Sequence, residues 1–418
     1  MAREVWVVGA FSTEFGKWPG KSFKDLVREA YLGVLADSGL ADGLRIESAW
    51  FANSGMEAWG QASIRGQVCL APLQREGLFP AHSPVINVEN ACAGGSTAAN
   101  GAWKDILSDQ AELSLAIGVE KLFFPNVARD KVLDGFAAGI DNFDREAWFA
   151  EYRKPESGGV EIGTIAGRSV FVDACAARAR WHMARYGTTV AQISAACAKS
   201  HWYGARNTRA QYQFEVPIEA VMKDRLVSAP LTRAMCASPG DGAAALLLCS
   251  GEFLRELPAA IRRRGVRLAA SVLAGGRFRG IEEPGVAHFA ARRAYLMAGV
   301  GPHEVDVAEL HDSTSFCEIE QAEALGFCAV GEGGPFVESG ATSPGGRMPV
   351  NTSGGLVSKS HPVAATGLAM LHELVEQLRG EAGVRQVAGA QVGLQYNGGG
   401  AIGLDDAVGA VAILLGQN

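Results

Sequence analysis

One pattern occurs twice along this chain and restricts the fold more than any other feature: a short apolar run, then a glycine pair, then an amphipathic stretch. Val85–Val88 passes through Cys92 and Gly94-Gly95 into a helix expected over 96–106, and residues 348–350 pass through Gly354-Gly355 into a helix expected over 365–378. Apolar runs bounded by glycine read as buried strands, and apolar residues at helical spacing read as helices packed on them. The flanking segments repeat as well. Residues 5–10 form an expected strand, 22–40 a helix stopped at Gly39, and 48–52 a strand; later, 266–273, 286–297 and 305–310 give strand, helix and strand in the same order. Residues 113–118 and 391–394 are placed to be the next strand of each half. The chain therefore reads as a duplicated α/β protein with halves at 1–255 and 256–418.

The halves are unequal. Between Glu120 and Val227, glycine, aromatic and charged residues interrupt the periodicity, which reads as an insertion over about 120–227 forming a lid. After it, Asp241-Gly242 and the apolar run 243–248 close the first half with a buried strand. The 418 residues are 48% hydrophobic and 20% charged, enough apolar material for a large core. A net charge of -7 supplies no global field for nucleic acid or anionic lipid, so an anionic ligand needs a local basic patch. No apolar run of about 18 residues occurs, and no cleavable signal follows Met1, so a cytoplasmic protein without a membrane span is expected. The eight cysteines contain no C-x-x-C pair, which predicts reduced thiols and no metal site.

Four stretches could carry chemistry. In Asn90-Ala91-Cys92-Ala93-Gly94-Gly95-Ser96-Thr97, Cys92 falls between a strand end and a helix start, where unpaired N–H groups and the helix dipole favour a thiolate nucleophile. In Ser353-Gly354-Gly355-Leu356-Val357-Ser358-Lys359-Ser360-His361-Pro362, the proline restrains His361 just before a helix. His311 ends a buried strand, with Asp312 beside it either orienting the ring or, by the better reading, capping the next helix. The run Gly398, Gly399 and Gly400 can aim N–H groups at an oxyanion. Duplicated α/β halves meet at strand carboxyl ends, and a cysteine with a histidine there makes an activated thiol.

With these stretches in this order, together with Ala198-Lys199-Ser200-His201, Gln211-Tyr212-Gln213-Phe214 and the strand at 241–245, the chain resembles the thiolase superfamily over nearly its whole length. The likeness is to the sterol carrier protein X type and its bacterial lipid-transfer relatives, including the benzoylsuccinyl-CoA thiolase type. It implies two βαβαβαββ halves in a five-layer αβαβα sandwich with an inserted loop domain, and a homodimer. It also implies coenzyme A as substrate rather than bound cofactor, and for some relatives a small zinc-ribbon/OB-fold partner protein. Cys92 takes the place of the acyl-accepting nucleophile and His361 that of its base. His311 and His361 take oxyanion positions, as do the N–H groups of Cys92 and of Gly398, Gly399 or Gly400. The implied activity is thiolysis of a 3-oxoacyl-CoA through an acyl-Cys92 intermediate, degradative and for a branched or aromatic acyl group.

The chain departs from the pattern at the second acid/base. Sterol carrier relatives follow His-Asp with Cys-Phe, where this chain has Ser313 and Thr314; conventional thiolases carry a cysteine in the last glycine motif, where this chain has Gln395, Tyr396 and Asn397. Ser313, Cys317, Tyr396 or His361 itself are the groups left to move that proton, with helix core the better reading of Cys317. The alternatives are a thiolase-like aldolase acting on a 3-hydroxyacyl-CoA, a condensing enzyme, and a non-catalytic acyl-binding scaffold. Lys199, Arg206 and Arg209 on the insertion are expected to meet the phosphates of coenzyme A, with His201 and Ser271 nearer its pantetheine or adenine. Trp181 and Trp202 are read as core or as acyl-pocket walls.

Overall fold

In the computed structural model, which describes residues 3–125, 137–155, 159, 162 and 169–417, each half alternates strands and helices. The first half contains β1 (Val5–Ser12), α1 (Phe23–Ser38), β2 (Ser48–Ala52), α2 (Arg65–Arg75), β3 (Val85–Val88), α3 (Gly94–Leu107) and β4 (Leu113–Glu120). The insertion supplies α4 (Arg145–Arg153), α5 (Val170–Tyr186), α6 (Val190–Gly204) and a hairpin of β5 (Leu226–Ser228) with β6 (Leu231–Thr232); the rest of the expected lid over 120–227 lies partly outside the described residues. Then come β7 (Gly242–Ser250), β8 (Val266–Gly275), α7 (Val286–Ala298), β9 (Val307–Leu310), α8 (Ser315–Ala324), α9 (Val363–Arg379), β10 (Val392–Gly399) and β11 (Val408–Leu415).

Pairing shows the duplication directly. The sheet order is β3-β2-β4-β7-β1-β8-β11-β10-β9, and at its middle β1 and β8 run antiparallel. Outward on either side, β7 on β1 and β11 on β8 are antiparallel. So are β4 on β7 and β10 on β11, and then β2 on β4 and β9 on β10 are parallel. β3 pairs parallel with β2, and its counterpart, expected as a strand at 348–350, is a single parallel bridge from Val350 to Ala308. The apolar run of β11 completes the second half as β7 completes the first.

Three apolar layers separate these elements. α1 and α2 cover the outer face of the first half through Leu26, Tyr31, Leu70 and Phe51. α7 and α8 cover the second through Ala290, Ala322, Leu310 and Leu394. Between the two half-sheets lie α3 and α9, whose Ala98, Trp103, Leu368 and Leu371 pack with Leu246 of one half and Leu268 of the other. That is the five-layer αβαβα arrangement. Burying a side chain such as Leu368 contributes about 1.5–3 kcal/mol, and the middle layer holds both half-sheets to one pair of helices.

The central helices touch through glycine. A Cβ on Gly95 would lie 2.7 Å from the Ala364 carbonyl, and one on Gly367 would lie 2.3 Å from Ser96 Oγ and 2.6 Å from Ser96 N. No side chain fits there, so the first turn of α9 rests backbone to backbone on the first turn of α3. Cys92 precedes one of these turns and His361 the other.

Candidate active site

The two residues reach each other by way of strained turns. Ala91 has φ 47° and Ser360 has φ 99°, so a non-glycine residue in the left-handed region stands immediately before Cys92 and before His361. Such residues cost of order 1–3 kcal/mol each and persist where neighbours fix them. Glu89 Oε1 accepts the Ala91 N–H at 2.5 Å, and the Ser360 hydroxyl donates to Ser238 O at 3.0 Å. Gly399, the last residue of β10, presses on the Cys92 turn so closely that a Cβ there would stand 2.2 Å from Asn90 O. The glycine run Gly398-Gly399 is thus a strand end in contact with the turn that carries Cys92.

Cys92 Sγ lies 3.1 Å from His361 Nε2, and the rings of His361 and His311 meet edge to face at 5.2 Å. Hydrogen bonds settle which nitrogens carry protons. His361 Nδ1 is 2.7 Å from Thr366 Oγ1, whose single proton goes to the Pro362 carbonyl at 3.0 Å. A carbonyl cannot donate, so Nδ1–H is the donor to Thr366 and neutral His361 presents a bare Nε2 to the Cys92 thiol. The same reasoning gives His311 the opposite tautomer. Gln395 Nε2 donates to the Gly367 carbonyl at 2.6 Å and to Ser96 Oγ at 3.0 Å; Ser96 then donates to Asn397 Oδ1 at 2.8 Å. Asn397 is thereby turned so that its Nδ2 donates to His311 Nδ1 at 2.9 Å, which leaves the proton of His311 on Nε2. The site holds one imidazole that accepts and one that donates.

Electrostatics correct the thiolate expected at the helix start. Burial pushes the Cys92 thiol up to about 12, and the negative charges of Asp406 and Glu89 push the same way against only its own backbone N–H. Burial lowers His311 to about 4, and burial followed by the neighbouring His311 lowers His361 well below its ordinary value. The resting site is therefore a neutral thiol hydrogen-bonded to a neutral imidazole, and the ion pair forms only when the proton moves. One donor atom each from Cys92, His311 and His361 lies within 4.8 Å of the others, a spacing that could also hold a soft metal ion through the lone pair His361 otherwise offers the thiol.

Asp312 does not cap α8. Its carboxylate accepts the Leu356 N–H at 2.6 Å, tying the His311 segment to the segment that leads into His361, while the α8 N-cap is Thr314. Ser313 Oγ is 3.5 Å from Cys317 Sγ, which is itself buried 3.7 Å from Cys175 Sγ. Tyr396 is buried in β10 and its hydroxyl donates to Asp406 Oδ2 at 2.5 Å.

The residues expected to meet coenzyme A need correction. Lys199 is buried, with Nζ 2.7 Å from Glu318 Oε2 and 2.6 Å from the Val350 carbonyl, so it braces α6 against α8 instead of facing a phosphate. Ser271 is buried in β8, where its hydroxyl and carbonyl accept from Asn100 Nδ2. His201 is buried in a three-ring cluster with Tyr212 and Phe214, and burial lowers its pKa. Arg206 stacks over Trp202 at 3.8 Å and pairs with Glu215, while Arg209 pairs with Glu376. These two arginines remain partly exposed. Trp181 packs edge-on against Tyr186, and Trp202 lies under Arg206, so neither is shown lining an acyl pocket. Sequence reasoning missed Thr366, Ser96 and Asp406; the first two carried no signal because their role is to bond a ring brought from elsewhere in the chain.

Comparison with known proteins places this geometry in a family. Residues 5–229 match the thiolase N-terminal domain and residues 284–411 the thiolase C-terminal domain-like family. An acetyl-CoA acetyltransferase of Methanothermobacter thermautotrophicus is 36% identical over 95% of this chain and 97% of its own length. The benzoylsuccinyl-CoA thiolase subunit BbsB of Thauera aromatica is 30% identical over 91% and 90%. Human sterol carrier protein 2 is 33% identical over 94% of this chain and 70% of its own. Among solved structures, the Ltp2-ChsH2(DUF35) aldolase superposes with a TM-score of 0.74 at 22% identity, covering 98% of this chain and 97% of that one. Human mitochondrial 3-ketoacyl-CoA thiolase gives 0.67 at 15% identity over the full length of both. The two family models together with these relatives settle the matter: the chain belongs to the thiolase family.

Proposed function

We propose that this protein is a thiolase-type acyltransferase that cleaves a 3-oxoacyl-CoA with coenzyme A through an acyl-Cys92 intermediate, in degradation of a branched or aromatic acyl group. The observation that carries this reading is the bare His361 Nε2 at 3.1 Å from Cys92 Sγ. As Cys92 attacks the 3-keto carbon its proton passes to His361, and the new C–S bond precedes rupture of the C2–C3 bond. His311, held with its proton on Nε2, donates to the enolate oxygen of the departing thioester. The Cys92 N–H and one of the N–H groups of Gly398, Gly399 and Gly400 receive the oxyanion on the attacked carbon. Coenzyme A then takes the acyl group, and Cys92 recovers its proton from His361.

Arg206 and Arg209, partly exposed on the insertion, are the basic side chains left to approach the phosphates of coenzyme A. The half-buried edge strand β3, directly before Cys92, offers a free pairing edge for a homodimer. One relative is named as a subunit, which supports a small partner protein here as well. No helix among the described residues is long and apolar enough to cross a membrane. The eight cysteines are free thiols, which supports a cytoplasmic location.

Intact-mass measurement after exposure to a panel of acyl-CoA and 3-oxoacyl-CoA compounds tests the reading. A mass gain in wild type that is lost in Cys92→Ala identifies the nucleophile and its acyl group. Equal cleavage of a 3-hydroxyacyl-CoA by wild type and Cys92→Ala, with no mass gain, overturns it in favour of an aldolase without an acyl-enzyme.

A further inference from the structure

The insertion meets the second half along a seam of two helices. Cys175, Arg178 and His182 of α5 touch Cys317, Glu320 and Glu323 of α8, partners that stand 142, 142 and 141 residues apart. An offset this constant means that the two helices run side by side in the same direction, each showing the other one face. At the start of the seam stand two thiols, both buried, with Cys175 Sγ 3.7 Å from Cys317 Sγ. The proposed acyl transfer uses neither of them.

Their surroundings differ from those of cysteines that merely fill a core. Thr314 Oγ1 lies 3.4 Å and Ser313 Oγ 3.5 Å from Cys317 Sγ, and Arg178 Nη2 donates to Cys175 Sγ at 3.5 Å. Glu320 Oε2 at 3.1 Å and the Leu404 carbonyl at 3.3 Å hold that guanidinium in place. Cys317 also falls in the first turn of α8, where the helix dipole favours negative charge. The hydrogen bond from Cys175, helped by the Arg178 charge and the Thr314 hydroxyl, holds the Cys317 thiol below its ordinary value against the cost of burial; Cys175, which gives that bond, is held well above its own. One sulfur is thus prepared as the thiolate while its neighbour keeps the proton, the arrangement from which a dithiol closes to a disulfide. Ser313 and Arg178 are only half-buried, so polar groups connect the sulfurs with the surface and suit a small, polar oxidant.

We propose that Cys175 and Cys317 are a redox dithiol, oxidised by a peroxide to a disulfide that staples α5 of the insertion to α8. The Cys317 thiolate attacks one peroxide oxygen, the O–O bond breaks, and a sulfenic acid forms as hydroxide leaves. Cys175 sulfur then attacks the sulfenic sulfur, the S–O bond breaks, and the departing oxygen takes the Cys175 proton and leaves as water. With the proton that Cys317 had given up returned to the hydroxide, two thiols and one peroxide become one disulfide and two waters. The sulfurs close by about 1.7 Å to reach a disulfide bond length. In a reducing compartment such a bond is transient and reversible. It joins the insertion to the helix whose Gln321 Nε2 holds the His311 carbonyl at 2.8 Å, so the staple ends one helical turn from an anchor of the active site.

The test treats the full reduced chain, freed of reductant, with hydrogen peroxide, blocks remaining thiols with N-ethylmaleimide, and reads intact mass and a peptide map without reduction. Wild type should lose the mass of two hydrogens, yield one linked peptide pair carrying Cys175 and Cys317, and regain its mass with dithiothreitol. Cys317 should react at least about tenfold faster than Cys92, whose thiol is pushed up to about 12. Cys175→Ser should instead gain one oxygen on Cys317, trapped by dimedone as the sulfenic acid. The wild-type map decides the matter by itself if that variant fails to fold. No linked pair, a link between other cysteines, or oxidation of Cys92 before Cys317 overturns the inference; acetylation of Cys92 is measured separately, so the thiolase reading stands or falls on its own.

Discussion

Replacing Thr366 with valine tests the tautomer argument at its weakest link. Thr366 Oγ1 takes the Nδ1 proton of His361 at 2.7 Å and passes its own to Pro362 O at 3.0 Å, and valine keeps the shape while removing both functions. His361 then has no acceptor for Nδ1–H inside a buried site. An unpaired buried donor costs about 1–3 kcal/mol, which at 1.36 kcal/mol per tenfold lowers the population of the reactive tautomer by about 5- to 160-fold. Single-turnover acetylation of Cys92 by acetyl-CoA, quenched and followed by intact mass, should slow by that range. Thr366→Ser restores the hydroxyl and should restore the rate, which separates tautomer control from a packing defect; circular dichroism and a thermal midpoint check the fold. A valine variant within twofold of wild type, or a serine variant as slow as valine, refutes the reasoning.

Two further outcomes follow from the charge states. Because Cys92 is pushed up to about 12, alkylation by iodoacetamide should accelerate about tenfold per pH unit between pH 7 and 10; a plateau below pH 9 would show a preformed thiolate. His311 is lowered to about 4, so between the unfolded value near 6.5 and that folded value the unfolded chain binds a proton that the native site refuses. Its contribution is intact above pH 6.5 and lost as pH falls toward 4, a difference of about 3 kcal/mol. In denaturant titrations the stability of wild type should therefore fall relative to His311→Asn across that window. Parallel pH curves for the two proteins would contradict it.

The architecture was legible where local chemistry was strong. β2 and β3 occupy the expected residues because short apolar runs flanked by polar or glycine positions have few alternatives, and α1 stops at Gly39 because that residue takes the left-handed cap. β11 went unassigned because an apolar run such as Val408–Leu415 is defined by its partners, which are β10 and β8. At the site, the duplicated glycine turns pointed to Cys92 and His361. Lys199 was misread because its partner Glu318 lies 119 residues away, so nothing local distinguishes a buried ion pair from a surface cation. The helix dipole beside Cys92 was visible, whereas the burial and the Asp406 carboxylate that outweigh it come from the assembled halves.

The junction of Gly95 with Gly367 decides what variation this protein can absorb. Because main chain rests on main chain there, the gap between sulfur and imidazole is set by atomic radii and not by the choice of any side chain. A methyl group added at either glycine would separate the pair and leave the outer layers standing, a folded protein with its chemistry switched off.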